Sequence, residues 1–153
     1  MPQLAKKEIE GFKHSDFTKV GLQGPPTGVR LIEWSYDSQF MATKVESMPN
    51  AVWVWDMTTL QLTALLVHLN PVLAFKFAPQ QQQLVICTGQ SRVFCWTPRG
   101  ACVIDLPRNE LSAIPGSLSV HRLIWNPRAT NILLTDKQTA VLAFPQLDYM
   151  QKH

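Results

Sequence analysis

Short apolar runs, each bounded by turn-forming residues, recur along most of the chain and predict β-strands rather than helices. The run Ala51–Leu62, AVWVWDMTTLQL, shows the pattern most clearly. In an extended strand Trp53 and Trp55 point to one face, while Val52 and Val54 point to the other, so both faces are apolar. A strand of this kind must be covered on both sides, which predicts a layered assembly of sheets.

A strand-turn-strand pattern occurs three times along the chain. In each copy a valine is followed by an aromatic residue, a polar turn and a second apolar strand; the copies are Val29–Thr43, Val72–Thr88 and Val120–Thr135. After each copy comes a further strand that ends in an aromatic residue: Ala51–Trp55, Arg92–Trp96 and Ala140–Phe144. The aromatic positions recur at intervals of about 41 to 48 residues, and a four-stranded propeller blade repeats at roughly 40–45.

A fourth strand follows in the first two copies, at Leu60–Val67 and Ala101–Leu106. The sequence therefore predicts an all-β fold, a partial β-propeller of about three four-stranded antiparallel blades, the last of them incomplete. We expect a flexible lead-in over residues 1–28, blades at 29–67 and 68–119, the second with an added loop, and an incomplete blade at 120–153. Because propellers have at least four blades, we expect a fragment of a larger propeller, completed by further blades or a second copy.

The repeats resemble those of the WD-repeat family, whose blades carry a Gly-His dipeptide and, later, a Trp-Asp dipeptide. Trp55-Asp56 matches the second dipeptide, and His68 and Trp96 stand at the equivalent positions of the second blade. The resemblance implies that His68, Thr88 and Trp96 belong to a buried hydrogen-bond chain that well-formed repeats complete with an aspartate. Gln90 stands in the place of that aspartate, so we expect the chain to be incomplete and packing to rigidify the blade.

A more specific resemblance lies in two segments, Met48–Asp56 and Leu69–Trp96. They resemble the C-terminal blades of a WD-repeat protein of spindle poles and centriolar satellites, which pairs with a coiled-coil protein that anchors microtubule minus ends. The resemblance covers about Val29 to Phe144. It implies a non-enzymatic adaptor in the organisation of centrosomes, spindle poles and microtubules, located in the cytoplasm, with no catalytic residue and no cofactor.

The predicted strand order also indicates a candidate binding surface. The loops Glu46–Asn50, His68–Asn70 and Gln90–Arg92 lie at equivalent points of the meander, so we expect them on one rim. A methionine, amides and an arginine there provide an apolar anchor and hydrogen-bond donors for a protein partner. The candidate protein-binding residues are Glu46, Met48, Asn50, Asn70 and Arg92. The alternative, that these loops only close the blades, stays open.

The composition of the chain limits the functions that it can have. Fourteen Lys and Arg against eleven Asp and Glu leave a formal charge of +3, without the cationic cluster that nucleic acid binding requires. Three cysteines without a CxxC motif predict small buried thiols in a reducing cytoplasmic or nuclear setting. The sequence shows no nucleophile elbow, phosphate loop or metal-ligand spacing. Two alternatives to the scaffold stay open: a small-ligand or enzymatic propeller, and a nucleic-acid-associated scaffold.

Overall fold

The computed structural model describes residues 28–106 and 118–144, in which the chain forms only β-strands and connecting segments. The predicted lead-in lies outside the described residues apart from Gly28, as do residues 107–117 and 145–153. In the described ranges no helix has the length and apolarity to cross a membrane. The strands are β1 Val29–Trp34, β2 Phe40–Val45, β3 Ala51–Asp56, β4 Gln61–Val67, β5 Ala74–Phe77, β6 Leu84–Cys87, β7 Arg92–Thr97, β8 Gly100–Asp105, β9 Arg122–Trp125, β10 Ile132–Thr135 and β11 Ala140–Ala143.

The strands form three antiparallel meanders in chain order. Sheet 1 has the order β1-β2-β3-β4, sheet 2 has β5-β6-β7-β8, and sheet 3 has β9-β10-β11. Strand β5 contacts both β1 and β9, so the first strands of the three sheets are neighbours, while β4 and β8 lie at the far edges of their sheets. This radial arrangement of consecutive sheets confirms the predicted all-β, partial propeller fold.

The largest core cluster lies between sheets 1 and 2. Val52 and Val54 of β3 are fully buried there, against Phe75, Ile86 and Trp96 of sheet 2. The valine face of this strand therefore fills the space between the two sheets. The tryptophans of the same strand lie on the opposite face of sheet 1, where their rings stack with centroids 6.3 Å apart. Burial of about ten large apolar side chains between two sheets is the main force that holds them together.

A second core cluster joins sheets 2 and 3. Its members from sheet 2 point away from sheet 1, as the alternation along a strand requires. They pack against Leu123, Ile132 and Leu134 of sheet 3, with Val120 just before β9. Sheet 2 is therefore covered by apolar contacts on both faces, which explains why all four residues of its strand β6 are buried.

Four consecutive glutamines, residues 80–83, lie in the turn between β5 and β6. Gln82 Nε2 donates to Asp37 Oδ2 and to Gln39 Oε1 of sheet 1, both at 2.7 Å. On the other side Gln80 Nε2 donates to the Pro127 carbonyl of sheet 3 at 3.4 Å. The run thus ties sheet 2 to both neighbours on the side of the molecule opposite the loops proposed for binding.

The cysteines differ in burial. Cys87 and Cys95 are buried, and burial raises the pKa of each thiol to about 11, so both are uncharged and unreactive at neutral pH. Cys102 is exposed, against the prediction that all three are buried. It lies in β8, the outermost strand of sheet 2, which no further strand covers among the described residues.

The buried interface between sheets 1 and 2 generates a stability prediction. Ile86→Ala should lower the free energy of unfolding by about 2–5 kcal/mol, because it leaves a cavity among fully buried side chains. The matched substitution Ile104→Ala, at an exposed position of β8, should cost less than about 1 kcal/mol. Urea denaturation of the two variants measures the difference. Equal losses would show that this interface does not carry the stability of the fold.

Candidate protein-interaction rim

The three loops proposed for binding lie on one side of the molecule. Successive strands of a meander run in opposite directions, so the β2–β3 turn, the β4–β5 connection and the β6–β7 turn fall on the same edge. We call this surface the rim and define it by Glu46–Asn50, His68–Asn70 and Gln90–Arg92. The five candidate binding residues all belong to it.

Asn50 fastens the first two loops of the rim together. Its Nδ2 donates to the carbonyls of His68 at 3.2 Å and Leu69 at 3.1 Å. The backbone N–H of His68 donates to the Asn50 carbonyl at 2.9 Å, and that of Val72 to the Pro49 carbonyl at 2.8 Å. The connection between sheets 1 and 2 is therefore held against the β2–β3 turn by several bonds, which gives it a defined shape.

The third loop of the rim is attached to the segment that enters sheet 3. The Gly89 N–H donates to the Val120 carbonyl at 3.1 Å, and the Val120 N–H donates to the Gln90 carbonyl at 3.2 Å. Gly89 has φ +75°, and a Cβ there would lie 3.0 Å from Cδ1 of Leu73. A residue with a side chain would be strained at this φ, so the turn before the third loop requires glycine.

The charged residues of the rim are paired within the chain. Glu46 accepts from Arg30 at 2.9 Å, and Arg92 pairs with Asp105 at 3.2 Å across the β7–β8 ladder. Arg30, Arg92 and Asp105 are exposed and Glu46 is partly exposed, and ion pairs near solvent contribute little to stability. Glu46 and Arg92 can therefore exchange these partners for groups of a bound protein.

Two apolar side chains project from this hydrogen-bonded frame. Met48 is 43% exposed in the β2–β3 turn, and Leu69 is 98% exposed in the β4–β5 connection. Leu69 was not among the candidate residues, although it lies in the predicted loop His68–Asn70. The Asn-Pro that follows it is the one local signal for a turn. Asn70, the remaining candidate, is partly buried.

The hydrogen bonds expected for the WD-repeat motif differ between sheets 1 and 2. In sheet 1 Trp55 Nε1 donates to Thr43 Oγ1 at 3.1 Å, and Asp56 Oδ1 accepts from the Thr58 N–H at 2.9 Å. Hydrogen bonds from Thr58 to the Asp56 carboxylate lower the pKa of that group. In sheet 2 the corresponding chain is incomplete: Thr88 Oγ1 and His68 Nε2 are buried without a partner among residues 28–106 and 118–144.

Consecutive antiparallel sheets with a shared radial order, and a Trp-Asp pair at the end of a third strand, define a β-propeller of the WD-repeat class. The chain is 37% identical over 120 residues to a mouse protein, WD repeat-containing protein WRAP73; the match covers 78% of this chain and 25% of that relative. The chain belongs to the WD-repeat family. No protein-family model matches it.

The bonds of Asn50 generate a prediction about the rim. Asn50→Ala should lower the free energy of unfolding by about 0.5–1.5 kcal/mol, because two carbonyl groups, one of them part-buried, lose their donor. Asn50→Asp keeps the size of the side chain but turns an acceptor toward the same carbonyls, so it should cost at least as much. Chemical denaturation gives both values. Full stability of Asn50→Asp would contradict the assigned bonds.

His68 should make stability depend on pH. Its ring contacts Phe94 with centroids 4.5 Å apart, and burial lowers its pKa below the usual 6.5. The unfolded chain therefore takes up the proton at a higher pH than the folded chain, so the contribution of His68 is present above pH 6.5 and declines as the pH falls. We expect the free energy of unfolding of His68→Phe to change less than that of the wild type between about pH 7.5 and 5.5. Parallel curves would contradict the assignment.

Proposed function

We propose that this chain is part of a non-enzymatic protein-interaction scaffold and that the rim is its binding surface. The observation that carries the proposal is the exposure of Met48 and Leu69 on loops whose backbone is fixed by Asn50. An exposed apolar side chain on a fixed backbone loses little conformational entropy on binding, so its burial contributes more fully to affinity. The fold alone would not support this function, since propellers serve many purposes.

The chemistry of the rim fits a protein partner. Its two apolar side chains share the rim with Glu46 and Arg92, which are paired with Arg30 and Asp105. Apolar anchors surrounded by polar and charged groups are the usual anatomy of a protein interface, in which a few central residues carry most of the binding energy. We therefore assign Met48 and Leu69 as anchors and the paired charges as the surrounding groups that select the partner.

We further propose a cytoplasmic adaptor at centrosomes and spindle poles that contributes to microtubule minus-end organisation. The support is the resemblance of Met48–Asp56 and Leu69–Trp96 to blades of a spindle-pole WD-repeat protein. These two segments contain most of the rim, including both proposed anchors. The proposed partner is a coiled-coil microtubule-anchoring protein, because a helix with a repeating apolar seam offers a complementary surface to two separated apolar anchors.

The outer faces of sheets 1 and 3 support a larger propeller around this surface. Ile32, Trp34 and Leu65 are exposed on sheet 1, and Ile124 and Leu142 are exposed on sheet 3. Large apolar side chains on one sheet face are usually covered by another layer. We propose that further blades of the same type cover both faces, either within a longer polypeptide or from a second copy.

The rim assignment predicts the effect of charged substitutions. The test uses cells that express the tagged full chain with Met48→Asp combined with Leu69→Asp. Because both apolar anchors are lost, recovery of the coiled-coil partner should fall at least about tenfold, and the tagged protein should no longer be detected at spindle poles. The readouts are quantitative immunoprecipitation and co-localisation with a spindle-pole marker.

The matched control is Leu60→Asp, which makes the same substitution at an exposed position in the β3–β4 turn, on the opposite side of the molecule. Leu60 has φ 55°, a conformation that aspartate adopts more readily than leucine, so this variant should fold and bind normally. If the double variant folds and still recovers the partner, the rim is not the binding surface. If wild-type protein fails to reach spindle poles, the proposed adaptor role is wrong.

A further inference from the structure

Sheets 1 and 2 separate toward their outer edges and leave a cleft of about 420 Å³ between them. One wall is formed by Leu66 of β4 and by His68 just after that strand, and the other is formed by β7 and β8. Phe94 and Trp96 form an apolar floor. Strand β8 carries only Ala101 and Val103 opposite these aromatic residues, so small side chains keep the cleft open.

Two buried polar groups line this cleft. Thr88 is 6% exposed, and its hydroxyl has no hydrogen-bond partner within the described parts of the chain. The same holds for Nε2 of His68, whose ring is held edge-on against Phe94. A buried polar group without a partner costs stability, so two of them lining one cleft indicate a position for a ligand with hydrogen-bonding atoms.

The groups around the cleft favour an acidic ligand. The Thr88 hydroxyl is a donor, and a neutral imidazole donates from Nε2 when the hydrogen lies on that nitrogen. Arg92 lines the cleft at its rim side, where its pair with Asp105 is exposed, with side chains 48% and 73% accessible. A carboxylate has two acceptor oxygens, which match two donors, and its charge is favourable near an arginine. A cationic side chain would bring a further donor to this position instead of an acceptor.

The spacing of the cleft residues favours an extended segment. Arg92, Phe94 and Trp96 alternate along β7 and therefore share the face that lines the cleft. An extended peptide has the same two-residue period, so an acidic residue near Arg92 places its neighbour two positions away over the aromatic floor. That neighbour needs a large apolar side chain to fill the space left by Ala101 and Val103.

We propose that this cleft binds an extended segment of a partner protein in which a glutamate lies two residues from a leucine-like side chain. The glutamate carboxylate accepts hydrogen bonds from Thr88 Oγ1 and His68 Nε2, and the apolar side chain packs on Phe94 and Trp96. The inference rests on the proposed scaffold function and adds a ligand site between the outer halves of two blades, which adjoins the rim and shares His68 and Arg92 with it.

The test uses the full chain with the synthetic peptide acetyl-Gly-Leu-Gly-Glu-Gly-amide as the probe. Nuclear magnetic resonance signals of the His68 ring should shift on titration, with saturation. The same peptide with glutamine in place of glutamate should bind about tenfold more weakly, because it lacks the charge and one acceptor. A peptide with alanine in place of leucine should also bind more weakly, since it leaves the aromatic floor uncovered.

Two variants assign the binding to the cleft. Thr88→Val keeps the shape of the side chain but removes its hydroxyl, and it should reduce affinity for the glutamate peptide toward that for the glutamine peptide. Val103→Trp, at an exposed position of β8, should block the cleft without disturbing the core. The control Thr130→Val makes the same change in an exposed turn of sheet 3 and should leave binding unchanged.

Equal affinities for the glutamate and glutamine peptides, or unchanged binding in Thr88→Val, would overturn the proposal and indicate that water satisfies these groups. Saturable shifts that Val103→Trp leaves intact would place the peptide elsewhere and overturn it as well. The rim is tested separately with Met48→Asp alone, which should not weaken binding of the peptide, because Leu69 lines the cleft and Met48 does not. Failure of one surface is thus distinguishable from failure of the other.

Discussion

The structure depends on the need to cover sheets that are apolar on both faces. A strand such as β3, with valines on one side and tryptophans on the other, gains stability from an apolar layer on each face. Packing of the valine face against sheet 2 fixes the distance and orientation of the first two sheets. Sheet 2 then presents its second face to sheet 3, so one constraint generates the whole radial arrangement.

The two proposed binding surfaces are consequences of that packing. Where the sheets are close, backbone hydrogen bonds join the loops of neighbouring blades, and Asn50 holds the connection that exposes Leu69. Where the outer strands separate, the small side chains of β8 do not fill the gap, and a cleft with an apolar floor remains. The same geometry thus produces a fixed rim at one edge and an open cleft beside it.

The second blade keeps its shape although its buried hydrogen-bond chain is incomplete. Thr88 and His68 each leave a polar atom without a partner among the described residues, a local cost that the surrounding apolar contacts outweigh. Trp96 contributes through packing, with its ring edge-on to Phe40 of sheet 1 at a centroid distance of 5.3 Å. The glutamine at position 90, where the family pattern has an aspartate, therefore accompanies polar atoms that are unpaired within the described part of the blade, while the four-stranded architecture is kept.

The sequence by itself determined the strands, their order, the repeat and the faces that pack, because alternation of apolar residues reports directly which side of a strand is buried. It also placed Glu46, Asn50 and Arg92 on one edge. Only the tertiary structure decided that Glu46 and Arg92 are paired, that Leu69 projects into solvent, that Cys102 is exposed and that a cleft opens beside Thr88. These features depend on how far apart neighbouring sheets lie, a distance set by side chains remote in sequence, which no local pattern records.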